Sequence, residues 1–99
     1  MIRIVKLTFT EEKIQDFLVF FDTIKTRVAT FEGCNGMRLI QDQNNPQIVF
    51  TYSDWINNAA LENYRVSETF QTTWKTIKPW FKEKAEAWST EIYFDGFTI

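Results

Sequence analysis

The sequence predicts a single α+β domain in which helices cover one face of a four-stranded antiparallel sheet. A chain of 99 residues can build one hydrophobic core of useful size. Strand-like alternation and helix-like periodicity follow one another along this chain. The stretch from Phe31 to Trp55 contains two short strand-like runs joined by a turn, and long helical segments lie on both sides of it.

The chain begins with a strand and a long helix. Residues Ile2–Phe9 are rich in β-branched side chains and are largely apolar on both faces. Thr10 is the expected cap of a helix that opens with Glu11 and Glu12, since acidic residues favour the positive end of the helix dipole. The helix is expected to end near Thr30. Its apolar stripe consists of Ile14, Phe17, Leu18, Phe21, Ile24 and Val28.

A hairpin follows this helix. Gly33 and Gly36 end the helical region, because glycine enters left-handed backbone conformations without steric cost. The alternating runs Met37–Asp42 and Ile48–Trp55 flank an Asn-Asn-Pro turn. Neither run has a clean polar face, so both faces of the sheet need cover. Helices are expected on one face and a second copy of the chain on the other.

The remaining segments predict helices and a last strand. Ser53 or Asp54 is the expected cap of a short helix that runs through Tyr64, and Ser67 is the expected cap of the next helix, which Pro79 interrupts or restarts.

After a charged, mostly exposed turn at Lys82–Ala87, alternation over Ala87–Phe94 predicts the last strand. The order is that of a ferredoxin-like β-α-β-β-α-β domain, and no linker or repeat divides residues 1–99.

Composition and charge exclude several classes of function. A net charge of −2 and a pI of about 5.1 provide no basic surface for nucleic acid. No apolar run is long enough to span a membrane, and the N-terminus does not resemble a signal peptide. Cys34 is the lone cysteine, which suits a reducing compartment and is expected to be a small buried filler. A cytoplasmic protein is therefore expected.

The residue inventory restricts the chemistry further. Histidine is absent, which removes the commonest general base and the commonest metal ligand. No metal-ligand spacing and no glycine-rich phosphate loop is present, so no metal site is expected. Aromatic residues are abundant, at 10 Phe, 4 Trp and 3 Tyr. They indicate either core and interface packing or an apolar pocket whose Tyr and Trp tips orient a planar ligand.

Short motifs in a fixed order resemble the antibiotic biosynthesis monooxygenase (ABM) family. The motifs are Phe31-x-Gly33-Cys34, Phe50-x-Tyr52-x-x-Trp55, Leu61-x-x-Tyr64-x-x-Ser67-x-x-Phe70, Trp74 and Lys84-Ala85-x-Ala87-Trp88-Ser89. The resemblance implies a ferredoxin-like subunit whose sheets pair into a dimeric α+β barrel. It also implies either cofactor-independent oxidation of aromatic quinol-type substrates or haem degradation.

The residues at the family's functional positions disfavour haem degradation and also depart from the pattern of the oxidising branch. The haem-degrading branch has an Asn and a His where this chain has Lys6 and Trp74, so haem degradation is not expected. The polyketide-oxidising branch has an Asn four residues before the tryptophan that Trp55 matches, and this chain has Thr51 there. The tyrosine of that branch falls at Leu61, and Tyr64 is its expected substitute.

The leading hypothesis is a homodimer, joined through its sheet faces, that oxidises a small planar aromatic compound with O₂ and no bound cofactor. Tyr64, Trp74 and Trp55 are the expected catalytic residues. The expected ligand-binding residues are Arg38, Phe50, Thr51, Phe70 and Trp88. The alternative is a non-catalytic dimeric module that binds or senses a small aromatic ligand. Complete burial of Trp74 and Tyr64, with no cavity beside them, would exclude ligand binding.

Overall fold

The computed structural model describes residues 1–99 and contains the predicted succession of elements. In chain order they are strand β1 (Ile2–Thr8), helix α1 (Ile14–Ala29), strands β2 (Cys34–Gln41) and β3 (Ile48–Trp55), helices α2 (Asn58–Arg65) and α3 (Glu68–Ile77), a 3-10 turn at Lys78–Trp80, and strand β4 (Glu86–Thr90). The strands form one sheet in the order β2-β3-β1-β4, and every neighbouring pair is antiparallel. The predicted α+β, ferredoxin-like fold is confirmed.

The main core lies between one face of the sheet and the helices. Every second residue of β1 and of β3 faces the helices. Leu7 of β1 and Val49 of β3 are examples, and they belong to the same core cluster as Phe17 of α1, which is only 2% exposed. The ring of Phe17 stacks on that of Phe9, with 4.3 Å between the ring centroids. Because α1 presents an apolar residue every three or four positions, one side of it meets the sheet along its whole length.

The opposite face of the sheet is open in the single chain. Residues paired across antiparallel strands project to the same side, so one row on this face runs through Arg38, Tyr52, Ile4 and Trp88. Trp88 is 46% exposed, and the Arg38 guanidinium lies 5.6 Å from the centre of the Tyr52 ring. The sheet therefore carries apolar side chains on both faces but has helices on only one.

The predicted cap of the first helix is wrong. Residues 11–13 form a turn, and α1 begins at Ile14 after Lys13. The carbonyl of Thr10 accepts hydrogen bonds from the amides of Lys13 and Ile14, at 3.0 and 3.2 Å. The Thr10 hydroxyl is instead buried without a partner, so it caps no helix.

The predicted cap of the second helix is also wrong, whereas that of the third is confirmed. Ser53 and Asp54 belong to β3, where they pair with β1, so the helix begins later. The Asn57 side chain accepts a hydrogen bond from the Ala60 amide at 2.8 Å and caps α2. Ser67 caps α3, and Pro79 lies in the 3-10 turn that interrupts the helical region.

The last strand is shorter than predicted. Strand β4 ends at Thr90, which pairs with Ile2, the first residue of β1. Beyond that pair β1 offers no further backbone partner, so the alternating residues up to Phe94 lie outside the sheet. All residues from 91 to 99 are exposed.

Gly33 allows the start of the hairpin to approach α2. Its φ angle is +85°, a conformation that side-chain-bearing residues rarely adopt. A Cβ atom built on Gly33 would lie 2.5 Å from the Cβ of Ala60.

No helix of the chain combines the length and apolar character that crossing a bilayer requires.

Candidate functional site

A cavity of about 320 Å³ lies between the helix-covered face of the sheet and helices α1, α2 and α3. Most of its lining is apolar, and its volume falls at the lower end of the range of small-molecule sites. Adjacent residues of a strand point to opposite faces of the sheet, so only every second residue of a strand can reach the cavity. Val5 and Thr51, which are paired across β1 and β3, both point into the cavity.

Aromatic rings form one continuous wall of this cavity. The ring centres of Trp55 and Tyr64 are 5.1 Å apart, and those of Tyr64 and Phe70 are 5.3 Å apart. Phe70 then stacks on Trp74 at 5.7 Å with an angle of 13° between the ring planes. Such separations are favourable for aromatic pairs. The wall therefore offers flat apolar surface for a planar ligand.

A few polar groups interrupt the apolar lining. Tyr64, Trp74 and Thr51 line the cavity, and the hydroxyls of Tyr64 and Thr51 and the indole N–H of Trp74 make no hydrogen bond within the chain. The Trp55 indole differs, because it donates to the Ser53 hydroxyl at 2.9 Å and is only 2% exposed. Trp55 thus contributes its ring to the wall, whereas the other three groups are free to bond a ligand.

The Tyr64 hydroxyl is a donor and not a base at neutral pH. Burial raises the pKa of Tyr64 to about 12, and the nearby Cys34 adds to this effect. The pKa of Cys34 is also raised by burial, an effect that a hydrogen bond to the Gly36 carbonyl opposes and Asp54 reinforces. Both groups therefore keep their protons, and Cys34 is a thiol rather than a reactive thiolate.

Five of the eight predicted site residues line this single cavity. They are Trp55, Tyr64, Trp74, Thr51 and Phe70. Neither Trp74 nor Tyr64 is wholly buried, so the condition that would have excluded ligand binding is not met.

The other three predicted site residues, Arg38, Phe50 and Trp88, lie on the open face of the sheet and do not reach the cavity. Phe50 and Thr51 are adjacent in β3, and adjacent strand residues point to opposite faces. Once Thr51 faces the cavity, Phe50 cannot.

The two charged lining residues were not among the predicted site residues. Arg3 of β1 and Arg65, the last residue of α2, both line the cavity. The alternation of β1 could have indicated Arg3, because Arg3 lies on the same face of the strand as the inward-facing Val5 and Leu7. No local pattern indicated Arg65, because its place depends on how α2 packs on the sheet.

No group of three or more His, Cys, Asp or Glu side chains is placed to hold a metal ion.

Comparison with known proteins decides the family. The family profile described as antibiotic biosynthesis monooxygenase matches residues 1–76, which include the aromatic wall and both arginines. The chain belongs to this family. No curated protein matches the chain significantly.

Solved structures share the fold of this family member. A conserved protein from Methanosarcina mazei Go1 is 23% identical, with a TM-score of 0.80 over 87% of this chain and 86% of the other. An antibiotic biosynthesis monooxygenase is 17% identical, with a TM-score of 0.85 over 93% and 98%. Rv0793 from Mycobacterium tuberculosis is 10% identical, with a TM-score of 0.86 over 96% of each chain. At these identities the similarity establishes the shared fold.

Proposed function

We propose that this ABM family member is a cofactor-independent monooxygenase that oxidises a small planar aromatic compound of the quinol or anthrone type with O₂. The observation that carries the proposal is the aromatic-walled cavity, whose lining includes Tyr64, Trp74 and Thr51, three residues with polar groups that have no hydrogen-bond partner in the chain. The family match supports monooxygenase chemistry at the level of the family.

The reaction requires little of the protein beyond binding and orientation. A substrate that loses a proton from the reacting carbon supplies the electrons that reduce O₂. One oxygen atom becomes the new carbonyl of the quinone-type product, and the other leaves as water. For an anthrone, whose reacting carbon carries two hydrogens, this balances as one anthrone and one O₂ giving one anthraquinone and one water.

Two of the free polar groups have a role in this scheme. The protonated Tyr64 hydroxyl donates to an oxygen of the substrate and stabilises the negative charge that forms there. The Trp74 indole is a second donor, and its ring stacks on Phe70 to form the flat wall beside the substrate. Trp55 supports Tyr64 through its ring, because its own N–H is already bonded to Ser53.

A homodimer is the second part of the proposal. The open sheet face carries apolar side chains, of which Ile40 is 51% exposed. The C-terminal residues Tyr93 and Phe97 have almost no contact with the rest of the chain. Exposed apolar surface of this kind is typical of interaction sites. Two open faces packed together would cover it and place Phe50 and Trp88 in the interface. Equilibrium sedimentation at twice the 11.8 kDa subunit mass is expected, and a stable monomer at micromolar concentration would exclude it.

A non-catalytic ligand-binding module is the alternative, and one observation favours it. The cavity contains no group that could act as a base, because no Asp or Glu lines it and Tyr64 keeps its proton. Under this alternative the same polar tips hold an aromatic ligand that undergoes no reaction.

Incubation with a panel of anthrones and hydroquinones, first without and then with air, distinguishes the two functions. Quinone absorbance from an anthrone reports oxygen insertion, whereas a hydroquinone can give its quinone without gaining oxygen and reports oxidation alone. Tryptophan quenching reports binding. Oxidation above background that falls in Tyr64→Phe and Trp74→Phe supports the oxygenase. Tyr93→Phe makes the same chemical change at an exposed tyrosine and is the matched control. Quenching without turnover supports the binding module, and silence in both assays contradicts both functions for this class of compound.

A further inference from the structure

Arg3 brings to the wall of the cavity a positive charge that makes no ion pair. It lies on the helix-covered face of the sheet, in a row with Ser53 of β3 and Ser89 of β4. Its guanidinium donates to the Ser89 hydroxyl at 3.0 Å, which leaves the charge in place because serine is neutral. The ion pairs of the chain involve Lys6, Lys13, Lys25 and Arg65, and none involves Arg3.

Arg65 adds a second guanidinium to the same cavity from the end of α2. Its Nη1 atom lies 3.1 Å from Oε1 of Glu62, in an exposed ion pair. An exposed pair of this kind contributes little and exchanges readily with another acceptor. Glu62 itself does not line the cavity. The only charged side chains in the lining are therefore two arginines, in a protein whose net charge is −2.

The two arginines lie close enough to affect each other. Burial lowers the pKa of Arg3, the charge of Arg65 lowers it further, and Glu62 partly opposes this. Arginine nevertheless stays charged in proteins. Two like charges at a partly dehydrated site are unfavourable unless an anion is placed between or beside them. A guanidinium fork matches the two oxygens of a carboxylate, and it also bonds an ionised phenol or enolate.

We infer that the ligand of this cavity is an aromatic anion, whose rings lie along the Trp55–Trp74 wall and whose negatively charged oxygen is bound by Arg3 and Arg65. This inference rests on the proposed ligand-binding cavity and specifies its substrate class. The charge is a carboxylate or an ionised phenol or enolate, which share the oxygen chemistry that a guanidinium recognises. In the proposed oxidation, the arginines stabilise the ionised substrate, which is the form that reduces O₂, in a cavity that has no base.

Anaerobic titrations of tryptophan fluorescence test the inference with probes matched in shape. 2-Naphthoate and 2-naphthamide differ in charge but hardly in size, and 4-nitrophenolate and 4-nitroanisole form the corresponding phenol pair. Each anion is expected to bind about tenfold more tightly than its neutral partner. A preference confined to one pair identifies the carboxylate or the phenolate as the recognised group.

Variants assign this preference to the two residues. Arg3→Gln and Arg65→Gln are each expected to weaken 2-naphthoate about tenfold while leaving 2-naphthamide unchanged. Arg27→Gln removes the same charge from an exposed position on α1 and is the control. Arg3→Lys keeps the positive charge and is expected to retain part of the preference for 2-naphthoate over 2-naphthamide. This variant therefore distinguishes a loss of anion recognition from a loss of folding.

The outcomes separate this inference from the oxygenase proposal. Equal affinity for both members of each pair, or Gln variants that lose neutral and anionic probes alike, would overturn the anion inference. Failure of every probe to bind would overturn it as well. A clear anion preference in a protein that oxidises none of the anthrones would support the inference and contradict only the oxygenase.

Discussion

Substituting Gly33 by alanine is expected to destabilise the fold strongly, because two separate costs meet at this residue. A side chain at a φ angle of +85° costs about 1–2 kcal/mol. The new Cβ would also lie 2.5 Å from the Cβ of buried Ala60, so α2 or the loop must move, and overpacking of this kind costs about 1–3 kcal/mol. The free energy of unfolding should therefore fall by ~2–5 kcal/mol, less a few tenths regained from the stiffer unfolded chain.

Urea denaturation followed by tryptophan fluorescence measures this loss, and Gly36→Ala isolates the backbone cost. Gly36 has a φ angle of +147° and no atom within 4 Å of a built Cβ, so its substitution carries strain without a clash. Gly33→Ala combined with Ala60→Gly removes the clash and should recover about 1–3 kcal/mol, less ~1 kcal/mol for glycine in a helix. Equal losses in Gly33→Ala and Gly36→Ala, with no recovery in the double variant, would refute the reasoning.

Three further predictions concern the core and the site. Tyr64 should titrate near pH 12 in the difference between the ultraviolet titrations of the wild type and Tyr64→Phe, and a midpoint near 10 would contradict its burial. Since its pKa is raised on folding, its contribution to stability is complete below about pH 10 and is lost as the pH rises towards 12. Ser53→Ala leaves the buried Trp55 indole without an acceptor and should lower the free energy of unfolding by about 1–3 kcal/mol in urea. Phe17→Ala should cost about 3–5 kcal/mol in the same assay, whereas exposed Val19→Ala should change it by under ~0.5 kcal/mol.

The order of elements could be predicted because local pattern determines it. The stripe through Phe17 and Ile24 specifies a helix whatever lies around it, and the alternation around Val49 specifies a strand. Element ends were less predictable, since they depend on partners far along the chain. Strand β4 stops at Thr90 because β1 begins at Ile2, and no pattern near residue 90 contains that information.

The candidate site was predictable in part for a similar reason. The family motifs gave Tyr64 and Trp74, and the fold brings both to the cavity. Grouping Phe50 with Thr51 disregarded the alternation of a strand, which was already visible in the sequence. The importance of Arg3 depended on its proximity to an arginine 62 positions further on and on its having no ion-pair partner. Only a three-dimensional arrangement supplies such information.

Isotopically heavy O₂ tests the central claim most directly. Protein dialysed against chelator, with no added cofactor, is incubated with a substrate anthrone under labelled O₂ in ordinary water. The molecular mass of the quinone product is then measured by mass spectrometry, and the Tyr64→Phe and Tyr93→Phe variants are assayed in parallel with the wild type. Our account predicts one labelled oxygen atom per quinone, formed more slowly by Tyr64→Phe than by Tyr93→Phe. Formation of quinone at the rate of the protein-free control, or at equal rates in the two variants, would contradict it.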